Sequence, residues 1–339
     1  MEDAGVILRQ MTMGMRLSRA LYAATELGIA DHLAGGPRST DVLAALTNTN
    51  IDALRRLLRA LSAAGVFAES GAEGFALTEL SERLRRDHPH SFRAGVLFLG
   101  GPARWEMWSG VIDSIRTGKP AEKLGDGQTI FDKYAKDPAR GEVMNDAMRA
   151  FTALQSRAVL AAYDFSSFGV LMDVGGGTGE MIGSILAATP GLRGILFDLP
   201  HVVAHAREVL AKFGVADRCE CAPGSFFDSV PSTADAIMIK QVVHDWDDDK
   251  AVALLSVCRA SMRSGAKLLM IERVMPERVQ AGVPAEPFLL DLEMLLGSGG
   301  RERTSAEFES VLTAAGLRLV AIHATTAPVS VVEAELWVE

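Results

Sequence analysis

Residues 170–180 read VLMDVGGGTGE: an apolar run, four glycines within five positions, then an acidic residue opening a helical stretch. A short apolar run that stops at glycine reads as a strand, and glycine is needed where a ligand approaches the backbone or φ is positive. Strand, glycine loop and helix in that order make a cofactor-binding turn of an open α/β sheet. The rest of the C-terminal half keeps this texture: GILFDL (194–199), CECAPG (219–224), AIMIK (236–240) and KLLMIE (267–272) are strand-like runs separated by helical segments. Such alternation predicts βαβ units and a doubly wound, Rossmann-like parallel sheet covered on both faces. LRLVAIHAT (317–325) and VSVVEAEL (329–336) lie too close together for a helical crossover, so they are expected to pair as an antiparallel edge.

The glycine loop departs from the dinucleotide fingerprint. Counting from Gly175 and Gly177, the position that should carry the third glycine holds Glu180. An acidic helix start is poor company for a pyrophosphate. The second strand ends in Asp198, 25 positions after Asp173, where a carboxylate can accept hydrogen bonds from both ribose hydroxyls. A phosphate-free adenosine cofactor with a positive sulfonium accounts for Asp173 and Glu180 beside the loop, and S-adenosylmethionine has those properties. A nicotinamide oxidoreductase would share the glycines and Asp198, but Glu180 counts against it.

Composition narrows the partners. The 339 residues are 48% hydrophobic and 23% charged, as in a well-packed globular protein of two ordinary domains. A net charge of −9 repels nucleic acid and acidic membrane surfaces, which leaves a small molecule or another chain as partner. The three cysteines, Cys219, Cys221 and Cys258, follow no metal or redox spacing, and their odd number suits a reducing compartment. No apolar run approaches the roughly 20 residues that cross a bilayer, and MEDAGVILRQ lacks the basic start of a signal peptide, so a cytoplasmic location is expected. His201 and His205 lie four apart, but Val202 stands where a zinc peptidase would carry glutamate, and no metal site is expected.

The N-terminal third is helical. Apolar residues from Met13 to Leu27 recur at helical spacing without a wide polar face, which suggests packing against a partner chain. STDVLAAL and TNIDALRRLLRALSAAG give two more capped helices, and GVFAES and GFALTE a small hairpin, together a winged-helix-like pattern. Arg55, Arg56 and Arg59 raise DNA binding, whereas Glu69, Glu73 and the overall charge oppose it. A dimer-forming module is the better reading. Residues 101–165 add helices that connect to the sheet.

Five ordered motifs, DVGGGTG, FDLP, GSFF, HDWDDD and GGRERT, resemble those of the plant-type and bacterial small-molecule O-methyltransferases that use S-adenosylmethionine. The motifs span residues 170–339, and the N-terminal helices fit that family's winged-helix-like dimerisation domain. The resemblance implies cofactor contacts by Gly175 and Gly177, a ribose-binding Asp198, Gly224 with an adenine-flanking pair Ser225 and Phe226, and a lysine near the cofactor, Lys240. Many members carry aspartate where Ser225 stands, so contact to the adenine amino group is expected to lean on stacking by Phe226.

Methyl transfer to oxygen requires the attacking hydroxyl to lose its proton. His244, just beyond the fourth strand, stands at the carboxyl edge where ligands of such sheets bind, and imidazole is well matched to that proton. The resemblance gives it the role of general base, with Glu272 and Glu302 as flanking acids. Asp245 is placed at the edge of the site, while Asp247 to Asp249 read as a solvated helix start. Acceptor contacts are expected from Asp291, Met294 and Leu295 on one helix and from Met148 and Phe151 on another. A Met-rich lining suits a flat aromatic or polyketide-like acceptor.

The sequence therefore predicts a homodimer with a dimerisation domain (1–100), a helical connector (101–165) and a catalytic domain (166–339) that methylates a small-molecule hydroxyl. Two rivals share many features: a relative that keeps the cofactor for non-methylating chemistry, and a winged-helix regulator.

Overall fold

The computed structural model describes residues 3–71, 74–121, 136–231 and 234–337. The chain divides into two compact units, Met1–Glu106 with Pro138–Ala150, and Met107–Asp137 with Phe151–Glu339, so the expected connector contributes to both.

The first unit opens with α1 (Ala4–Glu26), which starts earlier than the periodicity suggests because Asp3 caps it, accepting from Gly5 N and Val6 N. It continues with α2 (Ile29–His32), α3 (Thr40–Thr47), α4 (Ile51–Ala63), the antiparallel hairpin β1 (Phe67–Glu69) and β2 (Phe75–Leu77), α5 (Glu79–Glu82) and α6 (Arg93–Leu99). Ser39 and Asn50 cap α3 and α4 through Val42 N and Ala53 N, as their positions imply. Ile29, Leu33, Leu43, Leu54, Leu58, Leu61 and Phe67 close the core beneath the hairpin. Two of the three arginines that raised DNA binding are spent on carboxylates: Arg56 on Asp52 at 2.9 Å and Arg59 on Glu69 at 3.7 Å. Glu73 lies outside the described residues.

Helices α7 (Pro102–Ser109), α8 (Val111–Thr117) and α9 (Pro138–Ala162) lead to the sheet of the second unit. Its elements are β3 (Val170–Val174), α10 (Glu180–Ala188), β4 (Arg193–Asp198), α11 (Pro200–Val203), α12 (Ala206–Lys212), β5 (Cys219–Pro223), β6 (Ala236–Lys240), α13 (Asp248–Ser261) and β7 (Lys267–Glu272). Then come β8 (Val274–Met275), α14 (Glu286–Gly297), β9 (Arg303–Thr304), α15 (Ser305–Ala314), β10 (Leu317–Ala324) and β11 (Ser330–Leu336). The seven-stranded sheet runs β10-β11-β7-β6-β3-β4-β5, with β3 to β7 parallel. The closing strands pair antiparallel at that edge, as expected, and β11 is the reversed strand, inserted between β7 and β10.

Both faces of this sheet are buried, so alternate residues enter opposite cores. Met172, Val174, Ile237, Ile239, Leu268 and Met270 face one side, while Leu171, Met238, Leu269 and Ile271 face the other. Strand order reverses beside β3, whose successors run to β4 on one flank and to β6 on the other. The crevice at that switch point is where open α/β sheets bind ligands. Among the described residues no helix is long and apolar enough to cross a membrane.

The glycine loop is locked onto the sheet from below. A Cβ added at Gly176 would lie 2.4 Å from Leu196 Cδ1 and 2.6 Å from Asp173 Cγ, both on buried side chains that have nowhere to move. Gly176→Ala is therefore expected to destabilise the second unit by about 1–3 kcal/mol, the usual cost of overpacking. Thermal unfolding would read this as a loss of several degrees, and an unchanged midpoint would contradict the packing described.

Candidate active site

The carboxyl ends of β3, β4, β6 and β7 carry the candidate residues. After β3 the chain turns through Gly175, Gly177 and Gly179, whose φ values of 69°, 62° and 89° lie in the left-handed region that glycine enters without strain. Gly175 N donates to Phe197 O at 2.8 Å, tying the loop to β4. A Cβ at Gly175 would meet Val242 Cγ2 at 2.9 Å and Phe226 Cε1 at 3.5 Å, so this glycine keeps the floor of the crevice open beneath the Phe226 ring.

Asp198 ends β4 with its carboxylate already oriented. Gly177 N donates to Oδ2 at 2.8 Å and Leu199 N to Oδ1 at 2.7 Å. Each oxygen keeps further acceptor capacity, which a vicinal diol could use. Burial pushes this carboxyl above the ordinary aspartate range, against those two N–H groups. Gly224, expected among the cofactor contacts, has a packing reason of its own: a Cβ there would sit 2.6 Å from the Phe197 ring. Ser225 Oγ accepts from Phe227 N at 3.3 Å, and Phe226, Phe227 and Trp246 form a chain of rings with centroids 4.9 and 5.0 Å apart.

Asp173 and Lys240 lie beneath the loop. Burial lifts Asp173 to about 7 although Lys240 pulls it down, and burial lowers Lys240 to about 8 although Glu272 and Asp173 pull it up. Lys240 Nζ donates to Gln241 Oε1 at 2.7 Å. Gln241 itself has φ 48°, a left-handed conformation uncommon outside glycine, at the point where β6 turns toward the histidine. These residues fit an adenosine cofactor without phosphates: a glycine cradle, a diol acceptor, an aromatic flank, and a buried acid beside the loop.

His244 stands in a 3₁₀ turn, Val243–Asp245, beyond β6, with its side chain 11% exposed. Its Nδ1 lies 2.9 Å from Glu302 Oε1 and 3.7 Å from Glu272 Oε2. Its Nε2 is left toward Asp245, 3.9 Å away. Glu272 is fully buried at the end of β7, and its Oε1 accepts from Val242 N (3.1 Å) and Val243 N (2.9 Å), so one carboxylate holds both the ring and the turn beneath it. Burial opposes the imidazolium, but Glu272, the Glu302 hydrogen bond and Asp245 outweigh it and raise His244 well above an ordinary histidine. Glu272 is raised in turn, by burial first, against the pull of His244.

Ligand atoms of His244, Glu272 and Glu302 lie within 4.8 Å of one another, a grouping that could also hold a cation. His201 and His205 are exposed but share no helix, His201 lying on α11 and His205 in the turn before α12.

Several positioning groups were not visible in the sequence. Val274 pairs with Arg303 in the two-residue parallel ladder of β8 and β9, which brings Glu302 beside the end of β7. Asp291 Oδ1 accepts Glu302 N at 2.8 Å, so this expected acceptor residue also holds the backbone of the glutamate. Arg301 N donates to His244 O at 2.8 Å, an approach open only to glycine at the preceding position, because a Cβ on Gly300 would fall 2.0 Å from that same oxygen. Asp248 corrects the reading of a solvated helix start. Asp247 does cap α13, accepting Lys250 N at 3.0 Å, but Asp248 receives the buried Arg303 guanidinium at 2.8 Å. Met294 is half-buried on α14, and Asp291 and Leu295 line a cavity of about 600 Å³ together with Phe288, Leu292 and Arg301. Met148 and Phe151 lie on α9, the first in one unit and the second in the other.

Comparison with known proteins gives this geometry a setting. The O-methyltransferase domain matches residues 108–318, and the O-methyltransferase dimerisation domain matches residues 10–87. The chain is 38% identical over 331 residues to the phenazine O-methyltransferase of Lysobacter antibioticus, covering 97% of this chain and 95% of that protein. The crystal structure of LaPhzM superposes with a TM-score of 0.94 at 37% identity, covering 99% of this chain and 100% of the other. An O-methyltransferase from neocarzinostatin biosynthesis, solved with S-adenosylmethionine and 2-hydroxy-5-methyl naphthoic acid, has a TM-score of 0.80 at 33% identity, covering 94% of this chain and 96% of that one. Relatives also include an 8-amino-8-demethylriboflavin N,N-dimethyltransferase from Streptomyces davaonensis, 35% identical, and the aclacinomycin 10-hydroxylase of Streptomyces purpurascens, 34% identical. With both domain matches and near full-length identity above one third, the chain belongs to the O-methyltransferase family.

Proposed function

We propose that this enzyme transfers a methyl group from S-adenosylmethionine to a hydroxyl of a small aromatic or polyketide-like natural product, with His244 as the general base. The contact that carries this reading is His244 Nδ1 to Glu302 Oε1 at 2.9 Å. Holding Nδ1–H against a carboxylate leaves the opposite nitrogen, Nε2, as the proton acceptor.

S-adenosylmethionine supplies an electrophilic methyl group on a positively charged sulfur. Asp198 holds the ribose, Phe226 flanks the adenine with Ser225 beside it, and the Gly175–Gly177 loop lets the cofactor lie against the backbone. His244 Nε2 takes the acceptor's hydroxyl proton while Glu302 keeps the tautomer and Glu272 stabilises the imidazolium. The same two carboxylates raise the imidazole's proton affinity, so neutral His244 is scarce until positive charge reaches the sheet edge or the pH rises. Asp245, Asp291 and Met294, with Phe151 from α9, are proposed to line the acceptor. The aromatic compounds named for the phenazine and naphthoic acid relatives favour a flat acceptor.

The rival, a cofactor-retaining enzyme with non-methylating chemistry, draws on the hydroxylase relative. The base and its two buried acids favour methylation, whose chemistry needs a proton removed from oxygen. The enzyme is further proposed to be a homodimer. Leu8, Met11 and Met15 expose an apolar stripe along one face of α1, with Met11 72% and Leu8 64% accessible, and a free surface helix does not carry such a face.

Separate measurements test the base, the ribose contact and the dimer face. His244→Gln should lower turnover by roughly 10²–10⁴-fold, the worth of positioned acid–base catalysis. Because catalysis needs the neutral ring and the carboxylates raise its pKa, wild-type kcat should climb with pH above the ordinary histidine range near 6.5. Glu302→Gln should bring that limb to lower pH while reducing kcat. Turnover abolished by a chelator yet spared in His244→Gln would replace the base with a metal at the His244, Glu272 and Glu302 cluster. Asp198→Ala should weaken cofactor binding by about 1.5–3 kcal/mol in calorimetry, as for hydrogen bonds to a charged group, and unchanged affinity would remove it from the site. Leu8→Glu with Met11→Glu should shift sedimentation from dimer to monomer, and a persisting dimer would sink the assigned face.

A further inference from the structure

Arg303 is the largest fully buried side chain among the described residues, 1% exposed, in a position where methyltransfer chemistry gives it no direct part. A guanidinium stripped of water is costly unless each of its donors is met, and an apolar residue of similar volume would fill a core more cheaply. Here all five N–H donors have acceptors. Nη1 reaches Val243 O at 3.0 Å and Arg301 O at 3.5 Å. Nη2 reaches Trp246 O at 2.9 Å and Asp248 Oδ1 at 2.8 Å, and Nε reaches the same Asp248 oxygen at 3.1 Å.

The choice of acceptors is informative. Val243 and Trp246 bracket the 3₁₀ turn that carries His244, and Asp248 opens the helix behind it. The residues just before Arg303 hold the histidine too: Glu302 binds the ring, and Arg301 N binds the His244 carbonyl. Arg303 itself is fixed in the β8–β9 ladder beyond Glu272. We infer that Arg303 is a positioning residue: it clamps the backbone on both sides of His244 so that the ring meets Glu302 in one geometry. Backbone clamp and ring clamp then belong to one short segment, 301–303, and cannot drift relative to each other. This inference rests on the reading of His244 as the base, but the clamp it describes can be measured without turnover.

The test uses the full-length enzyme with Arg303→Met, Arg303→Lys and Asp248→Asn. Asp248 is half-exposed, so its substitution leaves the core filled and provides a folded variant should Arg303→Met fail to fold. With ring nitrogens labelled, the His244 imidazole titration is followed by NMR alongside kcat, KM and cofactor affinity. Loosening the ring from Glu302 should lower the His244 pKa toward the ordinary histidine value and cut kcat by about 10- to 100-fold in Arg303→Met, part of the roughly 10²–10⁴-fold worth of positioned acid–base catalysis. The expected order is Arg303→Met, then Arg303→Lys, then Asp248→Asn, with cofactor affinity held within about threefold throughout. A folded variant whose His244 titrates as in wild type would overturn the proposal, as would a loss of kcat that comes only with matching loss of cofactor affinity. If His244→Gln proves active, the base reading falls, while the imidazole titration still decides whether Arg303 holds the ring.

Discussion

The burial of ionisable groups along one sheet edge constrains the rest of this molecule. Asp173, Lys240, Glu272 and His244 lie at or just beyond the carboxyl ends of β3, β6 and β7, Glu302 and Arg303 at the start of β9, and most are removed from water. Charge in such a place is costly unless each group finds its complement. Burial here lifts the carboxyls of Asp173 and Glu272 and lowers Lys240, while opposite charges push each of them back. His244 is the exception in sign. Its neighbours outweigh burial, so the histidine proposed to accept a proton is closely surrounded by negative charge.

That arrangement depends on close backbone approach, and glycine is what allows it. Gly176 sits against Asp173 and Leu196, and Gly300 against the carbonyl of His244, at distances no side chain could share. The first packs the cofactor loop onto the sheet and the second brings the 301–303 segment under the histidine. These two glycines thus position the two parts of the proposed site, one the glycine loop and one the segment around His244. Neither has the positive φ by which a turn glycine is usually explained.

Much of this could be read from the sequence because parallel strands buried on both faces are short continuous apolar runs. VLMDV, AIMIK and KLLMIE coincide with β3, β6 and β7 to the residue. Asp198 and His244 were accessible as candidates because ligands of such a sheet bind at strand ends, and strand ends were visible, whereas Glu272 and Glu302 came from the family resemblance. The rest was hidden for identifiable reasons. The ladder of β8 and β9 is two residues per strand and has no period to detect. Asp248 lies in a run of aspartates that suits a solvated helix start, and Arg303 in a charged stretch that suits a loop. Their pairing links positions 55 apart in the chain, and no local pattern encodes it. The early start of α1 was masked by Gly5 and Gly14 and by a cap, Asp3, close to the terminus.

Family membership and fold are common ground among enzymes that methylate oxygen, methylate nitrogen and bear the name hydroxylase, so neither decides what this chain does to its acceptor. The discrimination has to come from what each chemistry demands of the protein. Methyl transfer to a hydroxyl needs a group that gains a proton as the new bond forms, and that group must be held against a developing positive charge. An imidazole whose Nδ1 is fixed by Glu302, with Glu272 behind it, meets both demands with side chains alone. Two buried carboxylates on one histidine are costly to desolvate, and removing a proton from the acceptor is a use that offsets that cost. On that physical ground the methylating reading is preferred, because it gives a use to the histidine and to both carboxylates buried against it.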